Sequence, residues 1–116
     1  MNKYEFSKLE ELARKQATFC KVFGSTRRVL IIWVLGNEEK AVTEIARSVG
    51  SSMQSTSQHL RLMKDKGFLT SRKDGQAVLY RIAENDLMKN CTILKQSPLP
   101  ENQGLDEKPL GSKKHI

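Results

Sequence analysis

Apolar residues recur at steps of three and four from Tyr4 to Phe23. Phe6, Leu9, Ala13, Gln16, Cys20 and Phe23 form one stripe, with Leu12, Ala17 and Phe19 beside it. That spacing predicts a long amphipathic helix, with an apolar face broad enough to pack on its own domain and on a second subunit. Gly24 breaks it and Ser25 can cap the next helix. Thr26 to Leu35 is nearly apolar all round, through Val29, Leu30, Ile32, Trp33 and Val34, as a central core helix should be. Trp33 reads as core packing among those neighbours rather than as a base-stacking residue. Arg27 and Arg28 stand at the positive end of this helix, a place that fits either phosphate contact or an acidic partner. Beyond the loop Gly36–Lys40, Ala41 and Val42 can add a short strand.

From Val42 to Gly67 the pattern gives two helices around a tight turn. Thr43 can cap the first, Ile45, Ala46 and Val49 are its apolar residues, and Gly50 ends it. Ser51 or Ser52 caps the second, in which Thr56, Leu60 and Met63 face inward. Its opposite face carries Gln54, Ser57, Gln58 and Arg61, and Gly67 stops it. A short helix, a Gly-containing turn and a polar-faced second helix make a helix-turn-helix. Phe68 to Arg72 is strand-like, Lys73-Asp74-Gly75-Gln76 is a turn, and Ala77 to Ile82 is a second strand, so a basic-tipped hairpin follows the motif. A last helix is expected from Asn85 to about Lys95, with Leu87, Cys91 and Leu94 on one face. The sum is a mainly α fold with a small β-wing: a winged helix-turn-helix of about five helices and a two- to three-stranded antiparallel sheet.

F-G-S-T-R-R-V-L-I (Phe23 to Ile31), V-T-E-I-A (Val42 to Ala46), S-T-S-Q-H-L (Ser55 to Leu60), K-G-F-L (Lys66 to Leu69) and G-Q-A-V-L-Y-R-I (Gly75 to Ile82) together resemble the ArsR/SmtB family of small repressors. The resemblance spans roughly the first four-fifths of the chain. It implies a homodimer that binds an inverted repeat in double-stranded DNA, with the first and last helices forming most of the dimer interface. The residues matching that interface are Phe6, Leu9, Ala13, Leu87, Cys91 and Leu94. Many members carry a Cys-x-Cys metal pair where this chain has Ala41 and Thr43, and others use Asp and His on the last helix, which here has Asp86 and no histidine. No metal site is therefore carried over, and no cofactor is expected.

Length and charge fit this picture. One domain is expected over residues 1–96, for DNA binding and dimerisation, with a flexible tail over 97–116, where three Lys meet three acids and all three prolines lie. The 116 residues carry a formal charge of +7. Six Lys or Arg against two acids fall between Ser51 and Ile82, on the helix-and-wing unit, where a polyanion would need them. Gln54, Ser57 and Gln58 are the candidates for base edges, since Gln pairs bidentately with adenine. Ser52 and Ser55 are candidates for phosphate near the helix N-terminus. Arg61, Lys64, Arg72 and Lys73 would supply sequence-independent attraction. His59 is expected half-buried or near phosphate, not as a metal ligand, because no second His lies at ligand spacing.

Cys20 and Cys91 are open to two readings: small hydrophobes on packing stripes, or a thiol sensor joining the first and last helices. No secretory leader is visible, and the longest apolar run, Val29 to Leu35, is too short to span a bilayer. A cytoplasmic protein with free thiols is expected, with no membrane partner. No Gly-rich phosphate loop, carboxylate pair beside a His, or nucleophile-base pair points to an enzyme. The rival function is a winged-helix protein-interaction module that does not bind DNA.

Overall fold

The computed structural model describes residues 1–99. α1 (Lys3–Val22) and α2 (Thr26–Leu35) precede a two-residue strand, β1 (Lys40–Ala41). The motif helices α3 (Val42–Val49) and α4 (Met53–Asp65) follow, then the wing strands β2 (Leu69–Asp74) and β3 (Ala77–Ile82). Two single-turn helices, α5 (Asp86–Lys89) and α6 (Thr92–Lys95), complete the described chain. The sheet is antiparallel in the order β1-β3-β2, and the whole is the expected winged helix-turn-helix.

Local chemistry explains the boundaries. Ser25 caps α2 by accepting from the Arg28 N–H, and Ser52 caps α4 by accepting from the Ser55 N–H at 3.0 Å. Gly50 takes φ 66°, ψ 43°, which lets the Ser51 N–H close back on the Ala46 carbonyl at 3.0 Å and turns the chain into α4. In the hairpin Asp74 stands opposite Ala77, so the loop is Gly75-Gln76. Gly75 has φ 65°, the positive angle that a two-residue type II′ turn needs at its first loop position. Lys73 and Asp74 are thus the end of β2 rather than turn residues.

Other expected details differ as well: the short strand is Lys40–Ala41, with Val42 already in α3. Thr43 lies inside the first turn of α3, and the N-cap position belongs to Ala41, which has no side-chain acceptor. The chain leaves β1 already extended at Ala41, and Glu44 reaches back to accept from the Ala41 N–H at 3.3 Å. The single last helix is broken. Asn90 ends α5, and Cys91, at φ -72° and ψ 112°, is extended and caps α6, with its Sγ accepting from the Leu94 N–H at 3.4 Å. The tail expected from Ser97 begins with a buried Ser97; its course from residue 100 onward lies outside the described residues.

Ile31, Ile32 and Leu35 of α2 pack against Ile45 of α3, Leu60 and Met63 of α4, and Phe68 and Leu69 at the wing base. Fully burying such side chains contributes about 1.5–3 kcal/mol each. Trp33 lies on the edge of this core and donates Nε1–H to the Ile93 carbonyl at 2.8 Å, tying α2 to α6. α1 joins the core only at its C-terminal end. Val22 is buried, and Phe19 and Phe23 meet Phe68 with ring centroids 5.7 and 5.0 Å away. Through its first four turns α1 is exposed on every side.

Candidate nucleic-acid interface

α4 shows two chemically distinct faces. Thr56, Leu60 and Met63 are buried beneath it. Gln54, Gln58 and Arg61 stand exposed on the far side, with Ser57 half-buried between them. The steps 54, 57, 58 and 61 keep these four on one helical surface. At the helix start Ser52 is exposed but its hydroxyl accepts from Ser55, and Ser55 is half-buried. Lys64 is exposed one turn beyond Arg61. Met53, exposed by 47 %, is an addition that the polar pattern hid. A large apolar side chain on the first turn of this helix suits contact with a thymine methyl group.

The helix is held from behind by two arginines. Arg27 donates through Nη2 to the Gly50 carbonyl at 3.4 Å, bracing the turn between α3 and α4. Arg28 donates through Nε to the Val22 carbonyl at 2.7 Å, and its Nη1 lies 3.2 Å from His59 Nδ1. A guanidinium can only donate, so His59 accepts at Nδ1 and carries its proton on Nε2. Burial lowers the His59 pKa from its ordinary value, helped by the positive charges of Arg28 and Arg27. Among the described residues neither arginine forms an ion pair with an acid; they join the end of α1, the motif turn and α4.

In the wing, Lys73 is exposed near the hairpin tip. Arg72 is exposed too, but it is not free. Its Nε and Nη2 donate to the two carboxylate oxygens of Glu39, at 3.1 and 2.5 Å. That hydrogen bond holds the Glu39 carboxyl below its ordinary value; partial burial opposes it, and the charges of Arg72 and Arg81 add to the lowering. Glu39 carries no local signal of this role, because only the register of β1 on β3 brings its side chain within reach of Arg72 across β3.

The remaining candidates lie on α1 and on the segment from α5 to α6. Phe6, Leu9, Ala13 and Leu87 are exposed, Leu94 is half-buried, and Cys91 is buried. Cys20 is exposed, its Sγ 3.6 Å from Gln16 Nε2. Burial pushes the Cys91 thiol up, against a smaller opposing effect of backbone hydrogen bonds from Leu94 and Ile93. Among the described residues no three His, Cys, Asp or Glu side chains gather in a metal-binding group, and no helix is long and apolar enough to cross a membrane.

No family model matches the chain. Individual proteins do. The HTH-type transcriptional regulator YgaV of Escherichia coli is 35 % identical over 97 residues, covering 83 % of this chain and 98 % of that protein. The structure of reduced HlyU from Vibrio cholerae superposes with a TM-score of 0.68 at 25 % identity, covering 77 % of this chain and 94 % of HlyU. A homodimeric winged helix-turn-helix DNA-binding domain from Mycobacterium bovis, described as a possible ArsR-family transcriptional regulator, shares the fold. Its TM-score is 0.62 at 24 % identity, over 100 % of this chain and 96 % of its own. With the two-faced α4, the wing and a relative matched along nearly its whole length, the chain belongs to the ArsR/SmtB family of helix-turn-helix transcriptional regulators.

Proposed function

We propose that this regulator acts as a homodimer in the cytoplasm, binding an inverted repeat in double-stranded DNA and repressing transcription there. The observation that carries the reading is the exposed polar face of α4, Gln54, Gln58 and Arg61, backed by buried Thr56, Leu60 and Met63. A helix so divided presents bidentate amide groups to base edges while its other side is fixed to the core. Lys64 and Lys73 extend the surface with charges suited to flanking phosphates. Two copies paired through α1 would set their α4 helices about one DNA turn apart, roughly 34 Å. The test is selection of bound fragments from a random DNA pool, followed by titration of salt. A recovered inverted repeat with a steep salt dependence supports the reading. Recovery of no preferred sequence and no salt-dependent binding would favour the rival, a protein-interaction module.

For Cys91, packing is the better supported role, whereas Cys20 is exposed. Cys91 fills the core and caps α6, and a buried thiol with a raised pKa is a poor nucleophile. A sensor would need Cys20 and Cys91 to join, which requires Cα atoms within about 7 Å. Binding measured with and without reductant, in the wild type and Cys91→Ser, distinguishes the two.

A further inference from the structure

The wing carries its own counter-anion. Ala41 and Arg72 both stand opposite Leu79, on the two sides of β3. A residue just before β1 therefore reaches across the same face of the sheet toward Arg72, and Arg81, two residues on from Leu79, shares that face. Glu39 occupies this place, and its carboxylate fills the guanidinium fork of Arg72 with both oxygens. Arg81 is turned to Glu84, with Nη2 3.6 Å from Oε2. The wing thus holds three cations, Arg72, Lys73 and Arg81, of which Lys73 is the one with no ion pair among the described residues.

A carboxylate and a phosphodiester compete for the same feature of arginine, two parallel N–H donors. We propose that Glu39 is a specificity-determining residue: it occupies Arg72 in the free protein, so that a DNA phosphate gains this arginine only by displacing a carboxylate. The inference rests on the DNA-binding reading above. On random DNA the exchange gains little, since one anion replaces another and the released carboxylate still faces the backbone. On a cognate site, α4 contacts hold the wing against the groove and tilt the exchange toward phosphate. Glu39 in this way lowers sequence-independent binding more than sequence-specific binding, which widens the ratio that a regulator needs to find its site.

The test compares Glu39→Gln with Glu38→Gln. Both remove one negative charge from the same loop, but Glu38 pairs with Lys40 at 2.9 Å and not with the wing. An exposed ion pair holds little of the fold, so both variants should melt as the wild type does. Affinity for random duplex and for the selected duplex is measured over a range of salt. Freeing one phosphate contact should steepen the log-log salt slope on random DNA by about 0.9 and raise affinity there by about five- to tenfold near 0.1 M salt, with a smaller gain on the selected site. The gain should be absent in Glu38→Gln and should vanish in Glu39→Gln/Arg72→Ala. An equal gain in Glu38→Gln, or one that survives loss of Arg72, would reduce the effect to net charge and overturn the proposal. Wild-type binding with no change in Glu39→Gln overturns this proposal alone, whereas wild-type protein that binds neither duplex overturns the DNA reading and the proposal with it.

Discussion

Thr56 sits at the end of the first turn of α4 with none of its surface exposed, and its Oγ1 has no hydrogen-bond partner among the described residues. A buried hydroxyl left unpaired costs about 1–3 kcal/mol, whereas an apolar group of the same shape carries no such cost. Thr56→Val should therefore raise stability by about 1 kcal/mol in denaturant unfolding with an unchanged slope; a loss would show that the hydroxyl finds a partner in solution. On the outer face the arithmetic concerns recognition. Gln54→Ala and Gln58→Ala remove exposed amides from a helix whose inner face is untouched, so the fold should be unaffected. Each should cost about 1–3 kcal/mol on the selected site if its bidentate pair to a base is lost, with relaxed preference at one half-site position. Equal losses on selected and random DNA would assign these side chains to the backbone instead.

Between elements, His59 links α4 to α2 and, through Arg28, to the end of α1. Arg28 holds the last carbonyl of α1, that of Val22, with one nitrogen and His59 with another. Protonating His59 would turn its acceptor into a donor facing a guanidinium. Because the folded protein lowers the His59 pKa below the ordinary 6.5, the unfolded chain takes up this proton first as pH falls. The stabilisation is complete above about pH 6.5 and is lost as pH drops from there through the folded value. Melting temperature should accordingly fall between about pH 7.5 and about pH 5.5, and less so in His59→Gln, which keeps an acceptor; identical pH profiles would remove the contact from the argument. The presence of α2, α4 and the hairpin was legible in the sequence, since periodicity, serine caps and glycine stops all act within a few residues. The broken end of the last helix was not. Leu87, Cys91 and Leu94 keep a helical spacing across the break, and cysteine is an unusual cap. Nor was the Glu39–Arg72 pair, 33 residues apart, since alternation reports which face a residue takes and not which strand lies beside it. Of the interface, the outward face of α4 could be read from spacing alone, while the state of Arg72 could not.

At the scale of the whole molecule, α1 makes sense only with something beside it. Its start is secured locally: Asn2 and Glu5 exchange hydrogen bonds at 2.8 and 3.0 Å in a capping box, and Glu10–Arg14 and Glu11–Lys15 form i,i+4 pairs. Such devices are weak, and an isolated helix of this length is marginal in water. Yet Phe6, Leu9 and Leu12 are 55, 52 and 62 % exposed, a cost that covering by an apolar partner would remove. A second copy brings the same stripe, so a two-fold pairing of α1 covers both at once. Leu9→Glu places a charge in the middle of that stripe without touching the core of the single chain. The variant should fold with wild-type melting of its domain core and sediment as a monomer. It should also lose about a hundredfold or more in affinity for the inverted repeat, because the second half-site is no longer held at high effective concentration. Its affinity for a single half-site should stay within about twofold of wild type. A dimer that persists in Leu9→Glu would move the subunit contact off α1, and an unchanged affinity for the repeat in a proven monomer would mean that the half-sites are read independently.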